Sequence, residues 1–544
     1  MQSFQSLKLL IIDDAPTFLF TIRSMLVKLG FIETNLFTAK SAKLALDLAA
    51  NKQFDVIICD YNFGLGMNGK QLFEELKHLN LLTDKAAFIL VTGDNTAATV
   101  RPILELKPDE YLLKPLNAVT LKQRLSIAIR RREKLATLFT AERLLDAETG
   151  LRLCDEMQPF YPEYYFVIER FRGTFLTILQ RHEQAKGVYQ STLTKKELDW
   201  AKVGLANSLA CLGQVEEAEA LINQLLLAAP MDTRVRTEAA HLQLKKSDIP
   251  AAIAHLELAS KIVPGNSERE LVIVNLCLSV EDYAQALERY KLYLDINKET
   301  YRNNDFSKLS LIRSLLYAAH NNPNKQALIE EAKHHLRLLL GSNDESISNE
   351  IELIKAHISM EVGYYRSALS ILRKLHNKKC FQHFYAAYHY AWLLNVMSVE
   401  NEFEQAIQWC GESLGFEQNQ IIFSSKVSML DGLRDCNKAK KTWLKNKYQM
   451  VKDSHLDKLA LLETYLLINK KAPLLKTVCL NIIMTLAHVW PGQYGVNQVK
   501  VIINRCDNVI KQLYSDEELI KLEYQQHHQA AIDKCRSKIF ELTE

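Results

Sequence analysis

Residues 7–30 read LKLLIIDDAPTFLFTIRSMLVKLG. A short apolar run ends at Ile12, the acidic pair Asp13-Asp14 and Pro16 follow, and Phe18, Ile22, Met25, Leu26 and Leu29 then recur at helical spacing up to Gly30. A brief apolar run without alternation is a strand buried on both faces. Proline in the first turn and glycine past the last bracket a helix. The same unit repeats: strand-like runs at 34–38, 54–59, 86–91 and 109–113 alternate with amphipathic stretches at 40–51, 69–79, 95–106 and from 117 onward. Strict alternation of this kind predicts an α/β doubly wound, five-stranded parallel sheet. In such a sheet the chemistry gathers outside the carboxyl ends of the strands.

At those ends stand Asp13 and Asp14 after the first strand, Asp60 after the third, Thr92 after the fourth and Lys114-Pro115 after the fifth. Three carboxylates converging on one edge repel one another unless a cation sits among them, and an all-oxygen set favours Mg²⁺. The loop after the third strand spells Gly64-Leu-Gly66-Met-Asn-Gly69, a literal G-x-G-x-x-G. A pyrophosphate-binding loop of that form follows the first strand, and here an aspartate that repels phosphate precedes it, so nucleotide binding is not expected there. His334-His335, His527-His528 and Cys380-x-x-His383 lack a second ligand pair at usable spacing and read as helical packing.

The acidic constellation resembles the receiver domain of two-component response regulators, over residues 1 to about 128, and implies a flavodoxin-like fold. The resemblance assigns Asp60 as phosphoacceptor, with Thr92 and Lys114 acting on the phosphoryl group. It assigns Asp13, Asp14, Asp60 and the backbone carbonyl of Asn62 to Mg²⁺, and Thr92 and Tyr111 to the conformational switch. One departure concerns the loop after Asp60: members commonly carry proline four residues after the acceptor and glycine eight after it. Here Gly64 takes the first place and the second glycine is Gly69, nine after, so the loop is one residue longer.

Beyond residue 150 the strand signal vanishes and a period takes over. Aligning 199–232, 233–266 and 267–300 places Ala218, Ala252 and Ala286 in one register 34 residues apart, with Pro230 and Pro264 in another. A unit of two antiparallel helices needs a small residue where they cross, apolar residues a turn later and a breaker at its end. This pattern resembles the tetratricopeptide repeat. Weaker copies end at Ala185, Ala368 and Ala406, with an irregular helix pair near 306–341. The expected organisation is therefore a receiver at 1–128, a basic connector helix at 129–149, a tetratricopeptide-like superhelix at 150–415, and a helical cap or further repeats at 416–544.

The composition agrees with a helical chain, since among 544 residues glycine (18) and proline (12) are scarce. Sixty-seven basic against 64 acidic side chains leave a net charge of +3, too small for a global footprint on nucleic acid or an anionic membrane. The amino terminus lacks a charged n-region and cleavage site, no run of about 18 apolar residues occurs, and the ten cysteines are scattered. A cytoplasmic protein with reduced thiols is expected.

A receiver joined to helical repeats implies a phosphorelay response regulator in which Mg-dependent phosphorylation of Asp60 switches a protein-interaction module. Its expected partners are a histidine kinase or phosphotransfer protein and a protein bound by the repeats. The resemblance also implies homodimerisation through the face of the fourth helix. No enzymatic activity is expected beyond self-catalysed phosphorylation and autodephosphorylation. Two alternatives differ in class: a transcription regulator with a helix-turn-helix hidden in 425–544, and a constitutive scaffold with a silent receiver-like domain.

Overall fold

The computed structural model describes residues 4–543 apart from 65, 95, 321, 342–343, 379–380, 382, 416, 418 and 454–456, with backbone alone at 97–100, 104 and 539–543. The chain divides into two compact units. The first comprises Met1–Ile273 with Tyr293–Asn303, and the second Val274–Leu292 with Asn304–Glu544. The division falls inside the expected repeat array, not at residue 128, 150 or 415.

The first unit opens with β1 (Leu9–Ile12), α1 (Pro16–Lys28), β2 (Leu36–Ala39), α2 (Ala42–Asn51), β3 (Val56–Asp60), α3 (Gly69–His78), β4 (Ala87–Thr92), α4 (Ala97–Leu106), β5 (Glu110–Leu113) and α5 (Ala118–Lys134). The five strands are all parallel in the order β2-β1-β3-β4-β5. Alternate residues of β1 split the core: Leu9 and Ile11 pack under α1 and α5 with Leu26 and Leu125, whereas Leu10 and Ile12 pack with Ala45, Phe73 and Ile103 of α2, α3 and α4. Both faces being covered explains why the strands read as apolar runs. The order reverses between β1 and β3, and this switch point places the tips of both beside the same crevice.

Helices α6 (Ala136–Leu144), α7 (Ala147–Met157), α8 (Tyr165–Ile178), α9 (His182–Lys195), α10 (Asp199–Cys211), α11 (Val215–Ala228), α12 (Thr233–Lys245) and α13 (Ile249–Ile262) follow, then α14 (Ser267–Ser279) and α15 (Tyr283–Ile296), which the division crosses. The basic connector expected at 129–149 is not one helix. It comprises the end of α5, a break at Leu135, all of α6 and the start of α7. Arg130 is exposed, whereas Arg131 and Arg132 both bind the buried Asp109, and Arg143 of α6 forks onto Asp84 at 2.9 Å for both nitrogens. These contacts fasten α5 and α6 to the amino edge of the sheet.

The second unit carries α16 (Asp305–Ala319), α17 (Lys325–Arg337), α18 (Glu345–Glu361), α19 (Tyr365–Lys378), α20 (Phe384–Met397), α21 (Glu400–Leu414), α22 (Gln420–Asp453), α23 (Lys458–Lys471), α24 (Lys476–Leu486), α25 (Val496–Leu513), α26 (Asp516–Lys521) and α27 (Tyr524–Thr543). Successive helices pack as pairs in both units, among them α10 on α11, α12 on α13, α16 on α17, α18 on α19 and α20 on α21. Ala185, Ala218, Ala252, Ala286, Ala368 and Ala406 are all fully buried. That burial fits a small residue at each helix crossing and hence the tetratricopeptide-like reading.

Leu444, Leu462, Ile483, Ile503 and Cys535 unite α22 to α27 in one core, and Arg366 of α19 donates to the carbonyls of Gln512 and Tyr514. Within the 425–544 region, α24 buries Val478, Cys479, Ile482, Ile483 and Leu486. Among the described residues no helix is long and apolar enough to cross a membrane.

Candidate functional site

The tips of β1, β3 and β5 bring Asp13, Asp14, Asp60 and Lys114 into one crevice. Each of the three aspartates offers an oxygen within 4.8 Å of the others, the one such acidic, histidine or cysteine group among the described residues. Lys114 Nζ lies 2.6 Å from Asp13 Oδ2 and 3.2 Å from Asp60 Oδ2, so one ammonium bridges the two buried carboxylates. It also sits 4.0 Å from the centroid of the Phe18 ring. The Lys114–Pro115 peptide bond is cis.

The remaining carboxylate oxygens are held by backbone. Asp13 Oδ1 accepts from the Ala15 N–H at 2.8 Å, Asp60 Oδ1 from the Tyr61 N–H at 2.9 Å, and the exposed Asp14 from the Gly64 N–H at 2.9 Å. Burial raises the Asp60 carboxyl above its ordinary value; Lys114 opposes that shift and Asp13 adds to it. For Lys114, burial alone would depress the ammonium, but the hydrogen bond to Asp13 and the charges of Asp60 and Asp13 outweigh it and leave it raised. A single lysine thus serves a crevice with more negative charge than it can balance. This is the condition in which oxygen ligands accept a hard cation.

Other residues expected at the site have different surroundings. Thr92 is buried at the tip of β4, but its hydroxyl accepts from the Asp94 N–H at 3.1 Å and faces the Asp94 carbonyl. Tyr111 is 37% exposed on β5. Asn62 is exposed two residues past Asp60. Cys380, paired in sequence with His383 as a weak metal motif, lies outside the described residues.

Gly69, nine residues after Asp60, stands where the loop returns to β3. It is the first residue of α3, its N–H donates to the Tyr61 carbonyl at 2.8 Å, and a Cβ there would fall on the carbonyl oxygen of Asp60 itself. The glycine is thus where α3 abuts the strand that carries the central aspartate, a role the G-x-G-x-x-G spelling obscured. Replacing it by alanine forces α3 away from Asp60, with an expected loss of about 1–3 kcal/mol in urea denaturation of the full chain. Phe18 recurs at helical spacing with Ile22 and Met25, and its place over Lys114 has no signature in sequence.

A second feature lies on the outer side of α3 and α4, entirely within the first unit. Lys70 donates to the Gly265 carbonyl at 2.7 Å and Gln71 to the Ile296 carbonyl at 2.7 Å. Glu74 pairs with Arg302 at 2.6 Å, Glu75 accepts from the Tyr301 N–H at 3.0 Å, and His78 stacks on Tyr301 with centroids 3.6 Å apart. Glu105 of α4 binds the buried Arg269 and accepts from Thr233 and Asn266 at the starts of α12 and α14. A carboxylate at two helix N-termini is favourably placed against both dipoles. The site helix α3 therefore touches the crevice at one end and residues 265–302 of the helical region along its flank.

The profile described as "Response regulator receiver domain" matches residues 9–126. Chemotaxis protein CheY-3 of Vibrio cholerae serotype O1 is 30% identical over 127 residues, which is 22% of this chain and 90% of that protein. Chemotaxis protein CheY1 of Helicobacter pylori strain J99 is 28% identical over 123 residues, 23% of this chain and 97% of that one. A crystallised response regulator receiver domain protein from Clostridium thermocellum shares 30% sequence identity, covers 24% of this chain and 98% of its own, and gives a TM-score of 0.21.

Proposed function

The chain belongs to the response regulator receiver family, and from that premise we propose that Asp60 accepts a phosphoryl group whose presence resets the contact between α3, α4 and the helical repeats. The observation that carries this reading is the bridge from Lys114 to Asp13 and Asp60, which keeps a nucleophilic carboxylate and a cation for the incoming oxygens side by side. Asp13, Asp14, Asp60 and the Asn62 carbonyl would hold Mg²⁺, and the surplus of buried negative charge in the crevice fits that ion. When bound, the metal neutralises charge on the oxygens of the group in transfer.

The chain's own residues do the rest. An Asp60 carboxylate oxygen forms the bond to phosphorus as the donor's bond to that phosphorus breaks, and Lys114 Nζ shifts its pairing from Asp60 to a phosphoryl oxygen. Thr92 exchanges its hydrogen bonds with Asp94 for one to the phosphoryl group, and Tyr111 leaves its exposed position as the β4–α4 region moves. The same movement reaches Glu105 at the end of α4, and through it Arg269 and the starts of α12 and α14. The donor is a histidine kinase or phosphotransfer protein in the cytoplasm, and the repeats grip a protein segment. In this reading the chain is a phosphoacceptor, with no enzymatic activity beyond self-catalysed phosphorylation and autodephosphorylation.

Incubation with acetyl phosphate and Mg²⁺ should add one phosphoryl mass to the intact protein, and Asp60→Asn should abolish the adduct. A folded protein that stays unmodified with both acetyl phosphate and a histidine kinase would replace this reading with the constitutive scaffold.

A further inference from the structure

At the amino edge of the sheet, opposite the acidic crevice, the ends of α3 and α4 meet α5, α6 and α8 around a cleft of about 380 Å³. Its lining carries five cationic side chains against two carboxylates, Asp84 and Glu142. Two of the cations are already matched: Arg143 forks onto Asp84, and Arg132 binds Asp109 at 2.6 Å while stacking on Phe139 at 3.8 Å. The other three, Lys77, Lys107 and Arg170, have no ion pair among the described residues. Lys77 lines the cleft with its ammonium 4.1 Å from the centroid of the Phe73 ring.

The three come from α3, the end of α4 and α8, so the fold, and not a local run of sequence, brings them together. Crowding by the surrounding protein lowers the pKa of each, and neighbouring cations lower it further: Arg132 for Lys77, Arg170 for Lys107 and Arg131 for Arg170. Glu142 opposes the shift in all three cases. A concave wall with unmatched positive charge focuses the field on an anion. Guanidinium and ammonium donors converging from separate elements suit phosphoryl oxygens. Leu82, Leu106 and Phe139 add apolar wall, and the volume is that of a small-molecule site.

We propose that this cleft binds an organic phosphate bearing at least two phosphoryl groups, with its charge on Lys77, Lys107 and Arg170 and its non-phosphate part against Leu82, Leu106 and Phe139. Such a ligand would tie the receiver's α3 and α4 ends to α8, at a distance from Asp60 and independently of its phosphorylation.

The test is calorimetric titration of the full chain with pyrophosphate and with ADP, in the absence of Mg²⁺. Both should bind one per chain, ADP at least as tightly, with affinity falling as salt rises. Arg170→Ala and Lys107→Gln should each weaken binding about tenfold, while Glu142→Gln should tighten it a few-fold by removing the opposing carboxylate. These side chains are exposed, and unchanged melting would show that each variant is folded. Absence of saturable binding would overturn the proposal. So would binding that the cleft variants leave intact and Lys114→Ala removes, since the anion would then occupy the acidic crevice.

Discussion

Lys114→Ala should lower the rate of phosphoryl adduct formation from acetyl phosphate about 100-fold, the scale on which removing one preorganised positive partner acts. The same change should destabilise the folded chain. Asp13 is fully buried and Asp60 is 8% exposed, so deleting their shared ammonium leaves two close carboxylates without their cation. Breaking a buried pair by removing one partner costs roughly 3–5 kcal/mol, and the partial exposure of Lys114 places this case at about 3 kcal/mol. The pH dependence has a defined sign. The Asp60 pKa is raised, so protonation relieves the repulsion, and the deficit of the variant should shrink as pH falls through that pKa. In the wild type the Lys114 pKa is also raised. The stability it contributes is fully present below its unfolded pKa and is lost as pH rises through the folded one. Urea denaturation across pH, wild type against variant, reads both trends.

The second large effect is expected at Glu105→Ala. Its carboxylate is the ionic partner of Arg269, a side chain 6% exposed, which keeps only the carbonyls of Ala259 and Val263 once Glu105 is gone. The variant also strips an acceptor from Thr233 and Asn266. A loss of about 3 kcal/mol in denaturation follows from leaving that guanidinium buried and unpaired. Glu105→Gln, which retains an acceptor but not the charge, should lose roughly half as much. Hydrogen exchange should show the loss at the starts of α12 and α14, with β1 and β3 unaffected.

The sheet and its crevice were legible in the sequence for a specific reason. Strands covered on both faces are continuous apolar runs, and the parallel topology sends every strand tip to one edge, so Asp13, Asp60 and Lys114 could be placed together from spacing alone. The burial of Ala218, Ala252 and Ala286 was legible too, because a 34-residue period sets them in one register. What escaped depends on partners distant in sequence. Arg131 and Arg132 look like a solvated run until Asp109 is seen beside them, and nothing near Glu105 announces Arg269, 164 residues away. The flank of α3 is amphipathic and polar, as any exposed helix face would be; only the folded chain shows Lys70, Gln71 and Glu74 meeting 265–302.

The central claim is that the state of Asp60 is felt at this α3–repeat contact. Hydrogen exchange of the full chain, with and without acetyl phosphate and Mg²⁺ and with Asp60→Asn as control, tests it most directly. The account predicts that protection changes in 69–78 and 296–303 on phosphorylation of the wild type and stays constant in the variant. Identical protection in these segments, with the phosphoryl adduct confirmed by mass, would contradict it.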